Sequence, residues 1–340
     1  MPPHNEDGEK FEGFSQRWKD FPDYILGITH EIWESRGLST LNHYYADDVI
    51  MRFPDGLLRG NQTVINGTMA TIVEFPDRQL LGEDVIWSGD GKGSYLSSHR
   101  IITTGTHLVD GVFGKATGKK FRIRVIADCA AKNDTIYDEW LIRDYGGMVR
   151  QLGFEPHDFA RSLIEAEGGL ENCRKPFHPS HDVDGGYHGT GNANAWGERY
   201  ANILTRIMDK DFDLIAREYD RACISELPGS RTVVSHHDID AFWIGLRSSF
   251  PSAKFEIHHQ IGREDPMMPP RAAIRWSLTG KHDGWGTYGR PTGAEVHIMG
   301  LTHAEFGPFG PPGGTVRREY VLLDEVSIWK QIHMHTGAVG

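Results

Sequence analysis

The stretch TGTHLVDGVFGKATGKK at residues 104–120 recurs later in the chain as TGKHDGWGTYGRPTG at residues 279–293. The two stretches lie 175 positions apart, and Phe75-Pro76 recurs as Phe250-Pro251 at the same offset. Self-similarity at a fixed offset is the sequence signature of a duplicated unit. We therefore predict that the chain contains two copies of one domain.

Further matches extend the repeat towards both ends of each copy. Tyr45 and Pro54 match Tyr219 and Pro228 at an offset of 174, and Glu139 and Asp144 match Glu319 and Asp324 at an offset of 180. The Gly/Pro-rich insertion GPFGPPGG at residues 307–314 explains the larger offset. We predict a tail at residues 1–9, a first domain at residues 10–153, a linker with a possible lid function at residues 154–194, and a second domain at residues 195–335.

Within the first copy, helical patterns precede strand patterns. Apolar residues recur at helical intervals between Phe11 and Arg36, and residues 38–45 and 61–75 also have helical character. Residues 82–152 form short segments rich in Val, Ile, Thr and aromatic side chains, separated by Gly and Asp. Helices followed by a run of antiparallel strands predict the α+β class for each copy.

The composition argues against several classes of protein. The 340 residues are 39% hydrophobic and carry a formal net charge of −11, with no long Lys/Arg run to attract nucleic acid. No apolar stretch approaches the ~18 residues of a membrane span, and the polar N-terminus lacks the apolar segment of a secretory signal. The three cysteines show no CxxC spacing. We therefore expect a cytoplasmic protein whose partner is neither nucleic acid nor a membrane.

A carboxylate ends the last predicted strand of each copy. If residues 136–144 form a strand, alternate side chains share one face, and residues 316–324 repeat the pattern. The two predicted faces contain Ile136, Asp138, Trp140, Ile142 and Asp144, and Val316, Arg318, Tyr320, Leu322 and Asp324. Burial beside apolar side chains raises the pKa of a carboxyl group, which makes Asp144 and Asp324 candidate proton shuttles. The alternative is an aspartate at a strand end that is hydrogen-bonded to the backbone of a loop.

A histidine follows an earlier predicted strand in each copy. The predicted faces place His107 with Ser97, His99, Ile101, Thr103 and Gly105, and His282 with Ala272, Ile274, Trp276, Leu278 and Gly280. A histidine that faces the same cavity as an aspartate forms an acid/base pair or an oriented dyad. The alternative is a hydrogen-bonded histidine in a Thr-Gly turn.

The predicted linker is rich in side chains of the types that bind metals. These are His178, His181, Asp182, Asp184 and His188. Their irregular, Gly-rich spacing differs from the ligand spacing of zinc sites, so solvated loop histidines are favoured and no metal ligand is predicted. No GxGxxG, GxxxxGK[ST] or GxSxG motif is present, so nucleotide cofactors and a serine nucleophile have no sequence support.

Four blocks of the first copy resemble the SnoaL-like polyketide cyclase family of the nuclear transport factor 2-like superfamily. They are YYADDVIMRFPDG (residues 44–56), EFPD (74–77), TGTHLVDGVFGKATGKK (104–120) and YDEWLIRDYGGMVRQLG (137–153). The second copy keeps RWSLTGKHDGWGTYGRPTG (275–293) and REYVLLDEVSIWKQI (318–332). It departs from the pattern at Pro228-Gly229, where the Asp of the first copy is missing, and at Ile332, which stands where the first copy has Leu-Gly. The resemblance covers residues 37–153 well and the second copy less closely.

The resemblance implies a cone-shaped fold in which N-terminal helices wrap a curved antiparallel sheet around an apolar pocket. It implies catalysis without a metal or organic cofactor, with Asp144 and Asp324 at the position of the general acid/base of an intramolecular aldol closure. The residues that would bind or polarise the substrate carbonyl are His107, His282, Trp140 and Tyr320. Single-domain relatives commonly associate through their sheets. The fused pair is therefore expected to mimic such a dimer within one chain. The sequence does not decide whether two full chains also form a homodimer.

These observations favour a cofactor-independent acid/base enzyme of the cyclase, isomerase or lyase type, acting on a small, apolar, oxygenated or polyketide-like molecule. His99 adds polar character to the first copy, whereas Trp276, Trp285 and Tyr320 suit the second copy to stacking on a flat ligand. One alternative is a non-catalytic small-molecule-binding or scaffold protein. A second alternative is a metal-dependent lyase that uses the linker histidines. The sequence leaves open which copy is active.

Overall fold

The computed structural model describes residues 11–309 and 314–337, so the predicted tail and residues 310–313 of the predicted insertion lie outside the described residues. The chain divides into two compact units. The first unit contains the described residues up to Arg143, together with Met148–Gly153 and Phe177–Gly189. The second unit contains Asp144–Gly147, Phe154–Pro176 and the described residues from Thr190 onwards.

The first unit combines short N-terminal helices with a six-stranded sheet of order β2-β1-β6-β5-β4-β3. Its helices are α1 (Phe21–Trp33), α2 (Leu41–Tyr44) and α3 (Asn61–Glu74), and α4 (Tyr145–Leu152) begins in the second unit. Its strands are β1 (Tyr45–Phe53), β2 (Gly56–Arg59), β3 (Gln79–Gly89), β4 (Ser94–Thr106), β5 (Lys120–Lys132) and β6 (Thr135–Arg143).

The second unit contains another six-stranded sheet, of order β8-β7-β12-β11-β10-β9. Its helices are α5 (Pro156–Ala166), α6 (Ala195–Met208), α7 (Ile215–Glu218), α8 (His236–Ser249) and α9 (Glu325–Thr336). Its strands are β7 (Tyr219–Leu227), β8 (Arg231–Val234), β9 (Lys254–Arg263), β10 (Arg271–Lys281), β11 (Glu295–Phe306) and β12 (Val316–Leu322). The two sheets have the same order of corresponding strands, as the internal repeat predicts.

The predicted α+β class with tandem sheet domains is confirmed. One strand pair in each sheet is parallel, because β1 runs alongside β6 and β7 runs alongside β12, whereas the other pairs are antiparallel. The predicted insertion falls between β11 and β12, where it lengthens a connection without altering the sheet.

Capped helices cover one face of each sheet. The Asp20 carboxylate accepts the backbone N–H of Asp23 at 2.9 Å and so begins α1, and Asn194 begins α6 by accepting the N–H of Trp196 at 2.9 Å. The apolar stripe of α1 packs into one core with alternate residues of the strands, including Val125 of β5. We call this helix-covered side of the sheet the inner face and the opposite side the outer face.

A β-bulge at Tyr137 decides which residues of β6 reach the inner face. Ile136 pairs with Ala131 and Asp138 pairs with Ala130, so one extra residue lies on β6 at this point. Ile136 is therefore on the inner face, whereas Asp138 is on the outer face. The prediction that alternate residues from Ile136 to Asp144 share one face is wrong at this position, because the bulge shifts the alternation by one residue. Glu139 is the carboxylate that lies on the inner face.

Phe177–Gly189, which we call the strap, belongs to the first unit and packs on its outer face. The buried Arg52 guanidinium forms an ion pair with the buried Asp138 and donates to Asp182 at 2.6 Å and to the carbonyl oxygen of Val183 at 2.7 Å. The backbone N–H of Tyr187 donates to Asp138 at 3.1 Å. These contacts hold the strap on the first unit, and the lid function stays a prediction.

Replacing Arg52 with Met is expected to lower the free energy of unfolding of the first unit by about 3–5 kcal/mol, because it leaves the buried Asp138 carboxylate without its cation. Urea unfolding, together with limited proteolysis within the strap, measures the loss. The matched control is Arg206→Met, which removes a partly exposed pair with Asp211 and is expected to cost less than about 1 kcal/mol. Equal, small losses in both variants would show that the Arg52 cluster does not hold the strap.

Candidate active site

A row of three buried side chains crosses the inner face of the first unit. Ser97 of β4 pairs with Cys129 of β5, and Cys129 pairs with Glu139 of β6. Directly paired residues on antiparallel strands point to the same face and lie close enough for their side chains to touch. All three residues are less than 4% exposed, so each polar atom in the row needs a partner within the fold.

These side chains and two neighbours form one hydrogen-bonded network, which we call the inner network. Glu139 is hydrogen-bonded to the hydroxyl group of Tyr45 and to the thiol of Cys129. The same thiol is hydrogen-bonded to Ser97, whose hydroxyl oxygen lies 3.1 Å from Nδ1 of His99. The inner network therefore links Glu139 to His99 through groups that both donate and accept protons.

Burial moves the two titratable ends of the inner network in opposite directions. Burial raises the pKa of Glu139 to about 7, although the hydrogen bonds from Tyr45 and Cys129 oppose the rise. Burial also lowers the pKa of His99 to about 4, so the imidazole is neutral at neutral pH. A carboxyl group with a pKa near the working pH both accepts and returns a proton readily. The Oε2 atom of Glu139 is buried without a hydrogen-bond partner among the described residues.

The second unit has a carboxylate at the same position in a different environment. Glu319 of β12 matches Glu139, and its carboxylate accepts the hydroxyl groups of Tyr200 at 2.9 Å, Tyr219 at 2.6 Å and Ser225 at 3.1 Å. Both carboxylate oxygens of Glu319 are thus bonded within the unit.

The second unit also lacks the rest of the inner network. At the offset of 175, Ser97, His99 and Cys129 correspond to Ala272, Ile274 and Ala304. These apolar residues lie in the core of the second unit beside the fully buried rings of Trp243 and Trp276. The inner face of the second unit is therefore an apolar core around one saturated carboxylate, whereas the first unit keeps a polar network.

Asp144 and Asp324 both cap chain segments. The Asp144 carboxylate accepts four hydrogen bonds within the second unit, from the backbone N–H groups of Gly147, Gly229 and Ser230 at 2.7–3.0 Å and from the Ser230 hydroxyl at 2.9 Å. Burial raises the pKa of Asp144. Asp324 begins α9 by accepting the N–H of Val326 at 2.9 Å. This geometry matches the alternative of an aspartate bonded to a nearby backbone, and the catalytic role of both residues stays a prediction.

His107 and His282 are fully buried at the end of the strand that precedes the repeated loop. Nδ1 of His107 lies 3.3 Å from the Thr117 hydroxyl, and its Nε2 lies 3.3 Å from Glu74 Oε1. Nδ1 of His282 lies 3.1 Å from the Thr292 hydroxyl. Burial lowers the pKa of His282. Each histidine thus ties the two ends of its loop together, as the turn alternative describes.

The five predicted substrate-binding residues do not converge on one place. Trp140 pairs with Asp128 on the outer face of the first unit, and Tyr320 pairs with His303 on the outer face of the second. Trp285 is 70% exposed in a loop, and Trp276 is buried in the core of the second unit. Within this set, His99 is the residue that shares a network with Glu139.

The linker histidines make local contacts. Nδ1 of His178 lies 2.8 Å from the Ser180 hydroxyl, and the exposed His188 lies 3.7 Å from Asp184. Across residues 11–309 and 314–337, no group of three or more His, Cys, Asp or Glu side chains is arranged to hold a metal ion. In the same part of the chain, no helix has the length and apolar character needed to cross a membrane.

Part of the chain matches one known family model. Residues 16–152 match the family model of the SnoaL-like polyketide cyclases. No curated protein matches the chain. The similar solved structures include IdmH from Streptomyces antibioticus, at 25% identity over 39% of this chain and 98% of that chain, with a TM-score of 0.35. They also include a SnoaL-like polyketide cyclase from Agrobacterium tumefaciens, at 18% identity over 41% of this chain and 98% of that chain, with a TM-score of 0.31.

Proposed function

Because residues 16–152 match the family model of the SnoaL-like polyketide cyclases, we propose that the first unit is a cofactor-independent acid/base enzyme of the cyclase, isomerase or lyase type. The family match supports an enzymatic activity of the cyclase or isomerase kind. The observation that carries the finer proposal is Glu139, which is buried on the inner face with one carboxylate oxygen unpartnered among the described residues.

In this proposal Glu139 moves the proton. Its carboxylate removes a proton from the carbon next to a substrate carbonyl, so the C–H bond breaks and its electron pair forms an enolate. In a cyclase reaction the enolate carbon then bonds to a second carbonyl carbon of the same molecule, and Glu139 returns the proton to the resulting alkoxide. No oxidant, reductant or net proton is consumed.

The proposed substrate is a small, largely apolar molecule that carries carbonyl oxygens, such as a polyketide-like compound. Apolar residues including Val85, Trp87, Ile101 and Leu141 surround the inner network. The apolar part of a bound substrate would therefore pack against these side chains in place of some of their contacts with one another. The second unit serves as a non-catalytic companion in this proposal, because its matching carboxylate is already saturated by protein donors.

The test uses α-tetralone, an apolar aromatic ketone with exchangeable protons beside its carbonyl. We expect the full chain to accelerate the exchange of these protons in D2O near neutral pH, measured by proton NMR against buffer alone. Exchange should persist after treatment with EDTA. Binding of α-tetralone without accelerated exchange would favour the non-catalytic binding alternative, and loss of exchange on chelation would favour the metal-dependent lyase.

A further inference from the structure

A second unpartnered polar group lies in the helix that covers the inner network. The hydroxyl of Tyr24 on α1 is fully buried and has no hydrogen-bond partner among the described residues. Its ring packs edge-on against Phe14 and stacks on Phe21, so the side chain is held in place. A buried hydroxyl without a partner is costly, and such groups in native folds call for an explanation, of which a catalytic role is one.

The tandem copy shows which contact Tyr24 lacks. The buried residues of α1 match those of α6 at an offset of 176, which pairs Tyr24 with Tyr200. Tyr200 donates its hydroxyl hydrogen to Glu319 at 2.9 Å. The equivalent bond between Tyr24 and Glu139 is not formed, since both the Tyr24 hydroxyl and Glu139 Oε2 are without partners.

Tyr24 nevertheless lies beside the inner network. Tyr24 and Cys129 belong to the same buried cluster, against which Tyr45 packs, and both Cys129 and Tyr45 are bonded to Glu139. One donor and one acceptor of the first unit therefore face the same network without bonding each other. A ligand would satisfy both groups if one of its oxygens accepted a hydrogen bond from the Tyr24 hydroxyl and one of its carbon-bound protons were transferred to Glu139.

We propose that Tyr24 is a further catalytic residue, which donates a hydrogen bond to the carbonyl oxygen of the substrate and to the enolate oxygen that develops from it. This inference rests on the proposed function and specifies its ligand as an enolisable ketone. A hydrogen bond from a fixed, buried donor strengthens as negative charge develops on the oxygen, so it favours the enolate over the ketone.

The experiment uses 4-nitrophenol, whose ionised form resembles an enolate and has a distinct visible absorption. Glu139→Gln serves as the background, because a neutral side chain there represents the state in which the base already holds the proton. We expect 4-nitrophenolate to bind this variant, and the added change Tyr24→Phe to weaken binding about 10- to 100-fold, the range for a hydrogen bond to a charged group. The matched control is Tyr200→Phe, which removes the corresponding hydroxyl of the second unit and should leave binding unchanged.

The outcomes separate this inference from the proposed function. Equal binding with and without the Tyr24 hydroxyl would overturn the role of Tyr24 and leave Glu139 as the proposed base. Absence of binding in every variant would overturn both. Hydrogen exchange of the β5 amides shows that the Tyr24→Phe variant is folded, and Tyr24→Trp, which restores an N–H donor on an aromatic ring, provides a second variant that should regain part of the binding.

Discussion

Glu139→Gln is expected to lower the rate of α-tetralone proton exchange by at least about 100-fold, within the usual contribution of a general base. Gln has nearly the same shape as Glu and keeps the hydrogen bonds to Tyr45 and Cys129, but it cannot accept the substrate proton. Because the pKa of Glu139 is about 7, the wild-type rate should rise as the pH increases through 7, and the variant should lose this rise. Proton NMR over a pH series measures both effects.

The matched control for this prediction is Glu319→Gln at the corresponding position of the second unit. It changes the same chemical group but should leave exchange unchanged, because Glu319 is committed to Tyr200, Tyr219 and Ser225. Asp144→Asn and Asp324→Asn test the other predicted bases in the same assay. A 100-fold loss in either of these variants, with exchange retained in Glu139→Gln, would transfer the role from Glu139 to that aspartate.

The repeat and the element order could be predicted from the sequence because turn residues mark them. Thr-Gly and Phe-Pro pairs recur at constant offsets, and they lie at or near the ends of equivalent strands and helices in the two units. The predicted helix at residues 61–75 also matches α3, Asn61–Glu74, closely. Patterns of this kind depend only on residues that are close in sequence, so they can be recognised without knowledge of the whole fold.

The site was harder to predict because it depends on strand register. Strict alternation places Asp138 on a face with Ile136, and the bulge at Tyr137 reverses this assignment and turns Glu139 inwards instead. One signal in the sequence favours Glu139. It recurs as Glu319, whereas its neighbour Asp138 corresponds to Arg318 at the same offset of 180. Of the two neighbouring carboxylates Asp138 and Glu139, the one kept in both copies is the one on the inner face.

The raised pKa of Glu139 also predicts how stability depends on pH. The folded protein holds a proton on Glu139 up to about pH 7, whereas the unfolded chain releases it near the ordinary value of 4.5. The folded state therefore binds more protons between these values, and the stability of the first unit should fall as the pH rises from 4.5 to 7. The full decrease corresponds to about 3 kcal/mol.

Glu139→Gln should remove this decrease, because glutamine does not ionise. The variant is expected to match the wild type near pH 4.5 and to exceed it progressively up to pH 7, after which the difference stays constant. Hydrogen exchange of the β5 amides reports on the first unit alone, so unfolding of the second unit does not obscure the comparison. Parallel pH profiles for the two proteins would show that Glu139 ionises normally in the folded state, and a residue that does so would be a poor base near neutral pH. Above pH 7 the ionised Glu139 would lower the stability of the first unit and supply its activity. Both effects would have the same origin, which is the burial of an ionisable group on an otherwise apolar face.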